Sequence, residues 1–211
     1  MNILQRQFKY SFSNVTFYLI GINVLVYIAQ KYLFPEITAL FAMTPFMVFN
    51  GWVWQLFTYM FAHDPRSFSH IFFNMFALFM FGSQIERYIG SKEFLLYYLL
   101  TGTLAGIFSF VVYMAGGAYG VHLMGASGAI FAIQLAYACF FPKAVIYFWG
   151  IIPFRAPVLI LLFTGIEIFD TVFRVQNGVA HLTHLAGMGF GALYFWVRWR
   201  ANPIKLMLGY K

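Results

Sequence analysis

Six apolar runs, each near the length that a lipid bilayer demands, limit this chain more than any other feature. They fall at 14–33, 69–88, 93–115, 126–141, 156–173 and 180–199, and about 20 apolar residues cross a hydrocarbon core of about 30 Å. Lipid offers the backbone no hydrogen bonds, so each run is expected to be a helix. Charge agrees: 9% of residues are Asp, Glu, Lys or Arg, where soluble domains carry about a quarter. The expected fold is an all-α membrane protein, a six-transmembrane-helix bundle forming one domain over residues 1–211, with a short central fourth helix. That fourth run is 16 residues long before Pro142 stops it, about 24 Å at about 1.5 Å per residue. Arg6 and Lys9 precede the first run, but no small-x-small cleavage site follows it. It therefore reads as a spanning helix.

The net charge of +7 reflects topology. With the amino terminus inside, Arg6, Lys9, Arg87, Lys92, Lys143, Arg155, Arg198, Arg200, Lys205 and Lys211 fall on the inner side, and Lys31, Arg66 and Arg174 on the outer. This is the positive-inside pattern, and it puts both termini in the cytoplasm. No basic run interleaved with aromatics exists, which argues against a nucleic-acid partner. Cys139 stands alone in an apolar run and reads as a packing residue. The first outer loop, 34–68, carries Trp52, Trp54, Phe57, Tyr59 and Phe61. Short helices lying in the outer membrane interface would suit those rings. The segment 143–154, bracketed by Pro142, Pro153 and Pro157, is too broken to span and is expected along the inner surface.

The second, fourth and sixth runs enter from the same side, so their first turns share one depth. The second brings His70 and, one turn on, Asn74; the fourth starts at Gly125-Ala126-Ser127-Gly128; the sixth brings His181 and His184. Polar groups inside a bundle are costly and mark function. Gly128, Ala132 and Ala136 line one stripe of the fourth run, and Gly187 and Gly191 one of the sixth. Helices pack closely through such stripes, which brings a histidine toward Ser127. A small-residue helix contact alone, with Ser127 bonding back to its own helix, is the simpler reading of the fourth run. A hydroxyl beside an imidazole suits acyl transfer, with the Ser127 N–H, His70 and Asn74 as oxyanion donors. No carboxylate lies at this depth on those three runs, so a Ser–His dyad is expected. Packing borders both His181 and His184; depth favours the latter.

Ser127 in Gly-Ala-Ser-Gly, His70-x-x-x-Asn74, and His184 in His-Leu-Ala-Gly-Met-Gly-Phe-Gly together resemble the rhomboid intramembrane serine proteases. The likeness runs from the first span to the sixth. It implies Ser127 as nucleophile, His184 as base, and His70 and Asn74 as oxyanion donors. Phe131 matches the aromatic position beside the catalytic histidine, and Gly82-x-x-x-Glu86-x-x-x-Gly90 a structural motif. It further implies no cofactor or metal, transmembrane protein substrates, a bacterial cell membrane, and substrate entry past the fifth span, where Thr164 and Gly165 lie. One departure is Gln55 after Trp54, where many members carry arginine.

Other polar residues have quieter expectations. His181 reads as structural, His63 and His122 as solvated or capping, Glu167 and Asp170 as interfacial, and Glu86 as an inner-end cap or ion pair. A metalloprotease would use His70, His181 and His184 as ligands, but the sequence has no His-Glu-x-x-His motif. A small transporter would want matching broken spans, and a non-catalytic binder or chaperone of membrane proteins would keep the fold without turnover.

Overall fold

A helix buried on every side must be lined with small or apolar residues all round, and the short helix that begins at Ser127 is built that way. The computed structural model describes residues 5–148, 150–173 and 179–210; Arg174 and Lys211 of the charge pattern lie outside them. Helix α1 (Val15–Ile28) runs on through a π turn to Leu33. Three short helices follow, α2 (Ile37–Phe41), α3 (Pro45–Phe49) and α4 (Gln55–Thr58), then a 3-10 turn at Tyr59–Phe61. Helix α5 (Phe68–Ala77) continues through a π turn into α6 (Ser83–Ile89), and α7 is Ser91–Ala115. Helix α8 is Ser127–Phe140, α9 Ala156–Phe173, and α10 Val179–Tyr194, continuing to Trp199. A last short helix, α11, covers Pro203–Met207. These bounds agree with the expected runs to within two residues.

The stretches Val15–Leu33, Phe68–Ile89, Ser91–Ala115 and Ala156–Phe173 are each long and apolar enough to cross a membrane. Their outward faces carry Phe72, Phe73, Phe76, Leu161 and Phe169 in exposed positions, side chains that water would not tolerate in such numbers and lipid does. This is a helical membrane bundle.

One segment departs from an all-helical chain. Residues 145–155 form an antiparallel hairpin, β1 (Val145–Phe148) with β2 (Ile152–Arg155), pairing Val145 with Arg155 and Phe148 with Ile152. Gly150, at φ +72°, serves its turn. Val-Ile-Tyr-Phe favours extended backbone, so the proline-bracketed stretch pairs with itself.

Helix α8 is the centre of the bundle. Ala129, Ala132, Ile133, Ala136 and Ala138 have no exposed surface, and its neighbours include α7, α9, α10 and α11. Its most extensive contact is with α10, and the small residues explain why. A Cβ on Gly187 would stand 1.9 Å from the Gly128 carbonyl oxygen, and one on Gly191 3.1 Å from the Ala132 Cβ.

Two buried glutamates tie the far end. Glu86 accepts from the Val15 and Thr16 backbone N–H groups at 2.6 and 2.9 Å, and from the Thr16 hydroxyl at 2.7 Å. It thereby satisfies the first turn of α1, whose N–H groups have no partner within their own helix. The expected cap is real, but it caps a helix some 70 residues away rather than its own. Gly90 (φ +86°) lets the chain turn against the Ser11 carbonyl, to which the Ser91 N–H donates. Glu93 binds Arg198 in an ion pair and accepts from the Tyr194 hydroxyl and the Trp199 indole.

Candidate functional site

Ser127 is the first residue of α8, so its N–H is among those a helix start leaves unpaired. Gly125, at φ +121°, turns the chain into that helix. The Ser127 Oγ lies 2.8 Å from His184 Nε2. Phe131, one turn along α8, stacks on the His184 ring with centroids 4.4 Å apart and planes 7° from parallel. The close approach of Gly187 to Gly128 brings these two helices into register, so the small-residue stripes and the polar pair are one feature.

His70 and Asn74 line the same cavity as Ser127 and His184. The Asp64 N–H donates to His70 Nδ1 at 3.3 Å, which leaves the ring proton on Nε2. A Cβ on Gly125 would meet that Nε2 at 2.8 Å, with Ser127 Oγ 3.7 Å away; the glycine leaves open the space in front of both groups. Asn74 donates to the His70 carbonyl at 2.8 Å, which fixes its amide and leaves its second N–H free to donate elsewhere.

Glu167 overturns the expectation of an interfacial carboxylate. Its side chain is 12% exposed, and its Oε2 lies 2.6 Å from His181 Nδ1 and 3.0 Å from His184 Nδ1. The first contact has hydrogen-bond geometry; the second is close but not aligned. Asp170 stands 3.9 Å from His181 Nε2. Helices α5, α8 and α10 carry no acid at this depth, and α9 supplies one. The three groups Glu167, His181 and His184 offer ligand atoms within 4.8 Å of one another, but direct contacts already account for the carboxylate's closeness to both rings.

The surroundings divide by polarity. The cavity over the pair, about 880 Å³, is edged by Asp64, Arg66 and His122. A second groove of about 560 Å³ reaches Ser127 between α5 and α9, lined by Phe72, Phe76, Phe131 and Phe163. Burial works against ionisation of Asp64, yet the Arg66 backbone N–H and guanidinium hold its carboxyl below the usual range. His63, expected to be solvated or capping, has no exposed surface, and neither ring nitrogen has a hydrogen-bond partner among the described residues. Burial, reinforced by the His70 ring with its centroid 5.1 Å away, pushes its imidazole down to about 3.

Gln55 ties the first loop together. It is fully buried, donates to the Ala39 carbonyl at 2.8 Å and accepts from the Thr44 N–H at 3.1 Å. Thr44 in turn contacts His122 Nδ1 at 2.8 Å. Loop order thus passes through an amide at this position.

Comparison with known proteins adds an independent line. The Rhomboid domain family model matches residues 50–201. Rhomboid protease GlpG of Haemophilus influenzae is 26% identical over 207 residues, covering 97% of this chain and 99% of that protein. The presenilin-associated rhomboid-like protein, mitochondrial, of Mus musculus is 32% identical over 129 residues, 59% of this chain. RHOMBOID-like protein 12, mitochondrial, of Arabidopsis thaliana is 31% identical over 173 residues, 74% of this chain and 49% of its own. The match to the mouse relative spans a third of that protein's length. With its family match across most of its length, the chain belongs to the rhomboid family.

Proposed function

We propose that this chain is an intramembrane serine endopeptidase that cleaves transmembrane helices near the outer membrane surface. The observation that carries the reading is the 2.8 Å contact between Ser127 Oγ and His184 Nε2. His184 Nε2 takes the Ser127 proton as Oγ attacks a substrate carbonyl. The oxyanion then forms beside the Ser127 N–H, the His70 Nε2–H and the Asn74 amide, and one such donor is worth about 3 kcal/mol. His184 returns the proton to the departing amine, and water from the polar cavity releases the acyl group. Phe131 supports the imidazole through its stacked ring.

The apolar groove between α5 and α9 supports an unwound substrate helix arriving from lipid, because a helical backbone hides its carbonyls from attack. Helix α9 is the mobile side in this reading. The topology that fits is six spans in a single domain, both termini cytoplasmic, in a bacterial cell membrane, with α2 to α4 in the outer interface.

The test is cleavage of a helical membrane substrate in liposomes by the wild type, Ser127→Ala and His184→Ala. Both variants should remain folded and lose at least about a thousandfold in turnover. Turnover surviving in Ser127→Ala overturns the reading. Retained substrate binding with no labelling of the wild type by a fluorophosphonate points to a non-catalytic binder.

A further inference from the structure

We propose that Glu167 is a positioning residue for His184, so that the reacting pair is backed by a carboxylate from helix α9. The proposal rests on the protease reading above. Helix α9 presents mostly apolar side chains outward, and a carboxylate on it that is 12% exposed must be held by partners. Both of its partners are imidazoles, and one of them touches Ser127. The nitrogen that faces Glu167 is Nδ1, on the opposite side of the ring from the nitrogen facing Ser127. An acceptor there keeps the ring proton on Nδ1 and leaves the Nε2 lone pair for the serine hydroxyl.

The proton balance is simple. As Oγ attacks, its proton moves to Nε2, and the ring becomes a cation with both nitrogens protonated. Glu167 stays ionised throughout and stabilises that cation without taking its proton. The 3.0 Å contact lacks alignment, whereas the 2.6 Å contact to His181 has it. His181 therefore anchors the carboxylate, and a small turn of either side chain aligns it on His184. Catalytic hydrogen bonds often tighten in this way only once substrate is bound.

The experiment compares the wild type, Glu167→Gln, Glu167→Asp and Ser127→Ala in proteoliposomes, with and without a chelator. Turnover is normalised to folded enzyme, and fluorophosphonate labelling of Ser127 is timed in parallel. Glu167→Gln should lower kcat about a hundredfold with KM within about twofold, and slow labelling by a similar factor. Glu167→Asp, which keeps the charge, should recover at least about tenfold of that loss. A merely structural carboxylate would lower the melting temperature of both variants and leave kcat per folded molecule unchanged, which overturns the proposal. Loss of wild-type turnover on chelation also overturns it, in favour of an ion on Glu167, His181 and His184. If Ser127→Ala is inactive while Glu167→Gln matches the wild type, the positioning role falls and the protease reading stands. Activity in Ser127→Ala removes both.

Discussion

Replacing Gly187 by alanine tests whether the pair depends on how closely two backbones approach. The new Cβ would stand 1.9 Å from the Gly128 carbonyl oxygen and 2.8 Å from its carbon, where ordinary contact begins at 3.4 Å. Neither neighbour is a flexible side-chain tip, so α8 and α10 must part by about 1.5 Å at that point. Gly187 lies one turn from His184, and Gly128 adjoins Ser127, so the opening falls on the reacting pair. Their 2.8 Å contact then exceeds hydrogen-bond reach. A misplacement of about 1 Å costs roughly a hundredfold in rate, and overpacking costs about 1–3 kcal/mol of stability. The control is Gly189→Ala on the same helix, where an added Cβ meets nothing within 4 Å. Turnover per folded molecule and melting in detergent should separate the two variants: Gly187→Ala slow and less stable, Gly189→Ala near the wild type. Equal activity of the two would refute the claim that glycine sets the distance.

Two further outcomes concern the rest of the fold. His63 is depressed to about 3, so the stability it contributes is intact above pH of about 6.5 and is lost as pH falls toward 3, by up to about 1.4 kcal/mol per unit. Neither of its ring nitrogens has a hydrogen-bond partner among the described residues, so His63→Phe should fold at neutral pH and flatten the melting temperature between pH 7 and 4. Glu93→Ala removes the acceptor shared by Arg198, Tyr194 and Trp199; a buried hydroxyl or indole donor that loses its acceptor costs about 1–3 kcal/mol, read as a lower melting temperature with the Ser127–His184 region unaltered.

Helix positions were legible because long apolar runs have one solution in lipid. Ser127 and His184 were legible because hydroxyl and imidazole stand out in apolar helices flanked by small-residue stripes. Glu167 was missed for a physical reason: its helix is apolar on nearly every face, so hydropathy gives no sign of which side turns toward α10. Its place near the helix end fitted a solvated carboxylate equally well. Glu86 offered an acid at a helix end, but its true partners at Val15 and Thr16 are fixed by tertiary packing. His63 fell in a loop that the sequence painted as interfacial, while the fold covers it completely. The hairpin at 145–155 was hidden because its prolines signalled interruption rather than pairing.

The two buried glutamates also set an order of assembly. The first turn of α1 gains its acceptors only after the chain has been made through Glu86 and Ser91. Glu93 must then wait for Arg198, 105 residues further on. Until the end of α10 has been made, α7 carries a carboxylate without its arginine partner. Pairing with Arg198 therefore closes this end of the bundle late, and a chain truncated before Arg198 would hold Glu93 without its arginine.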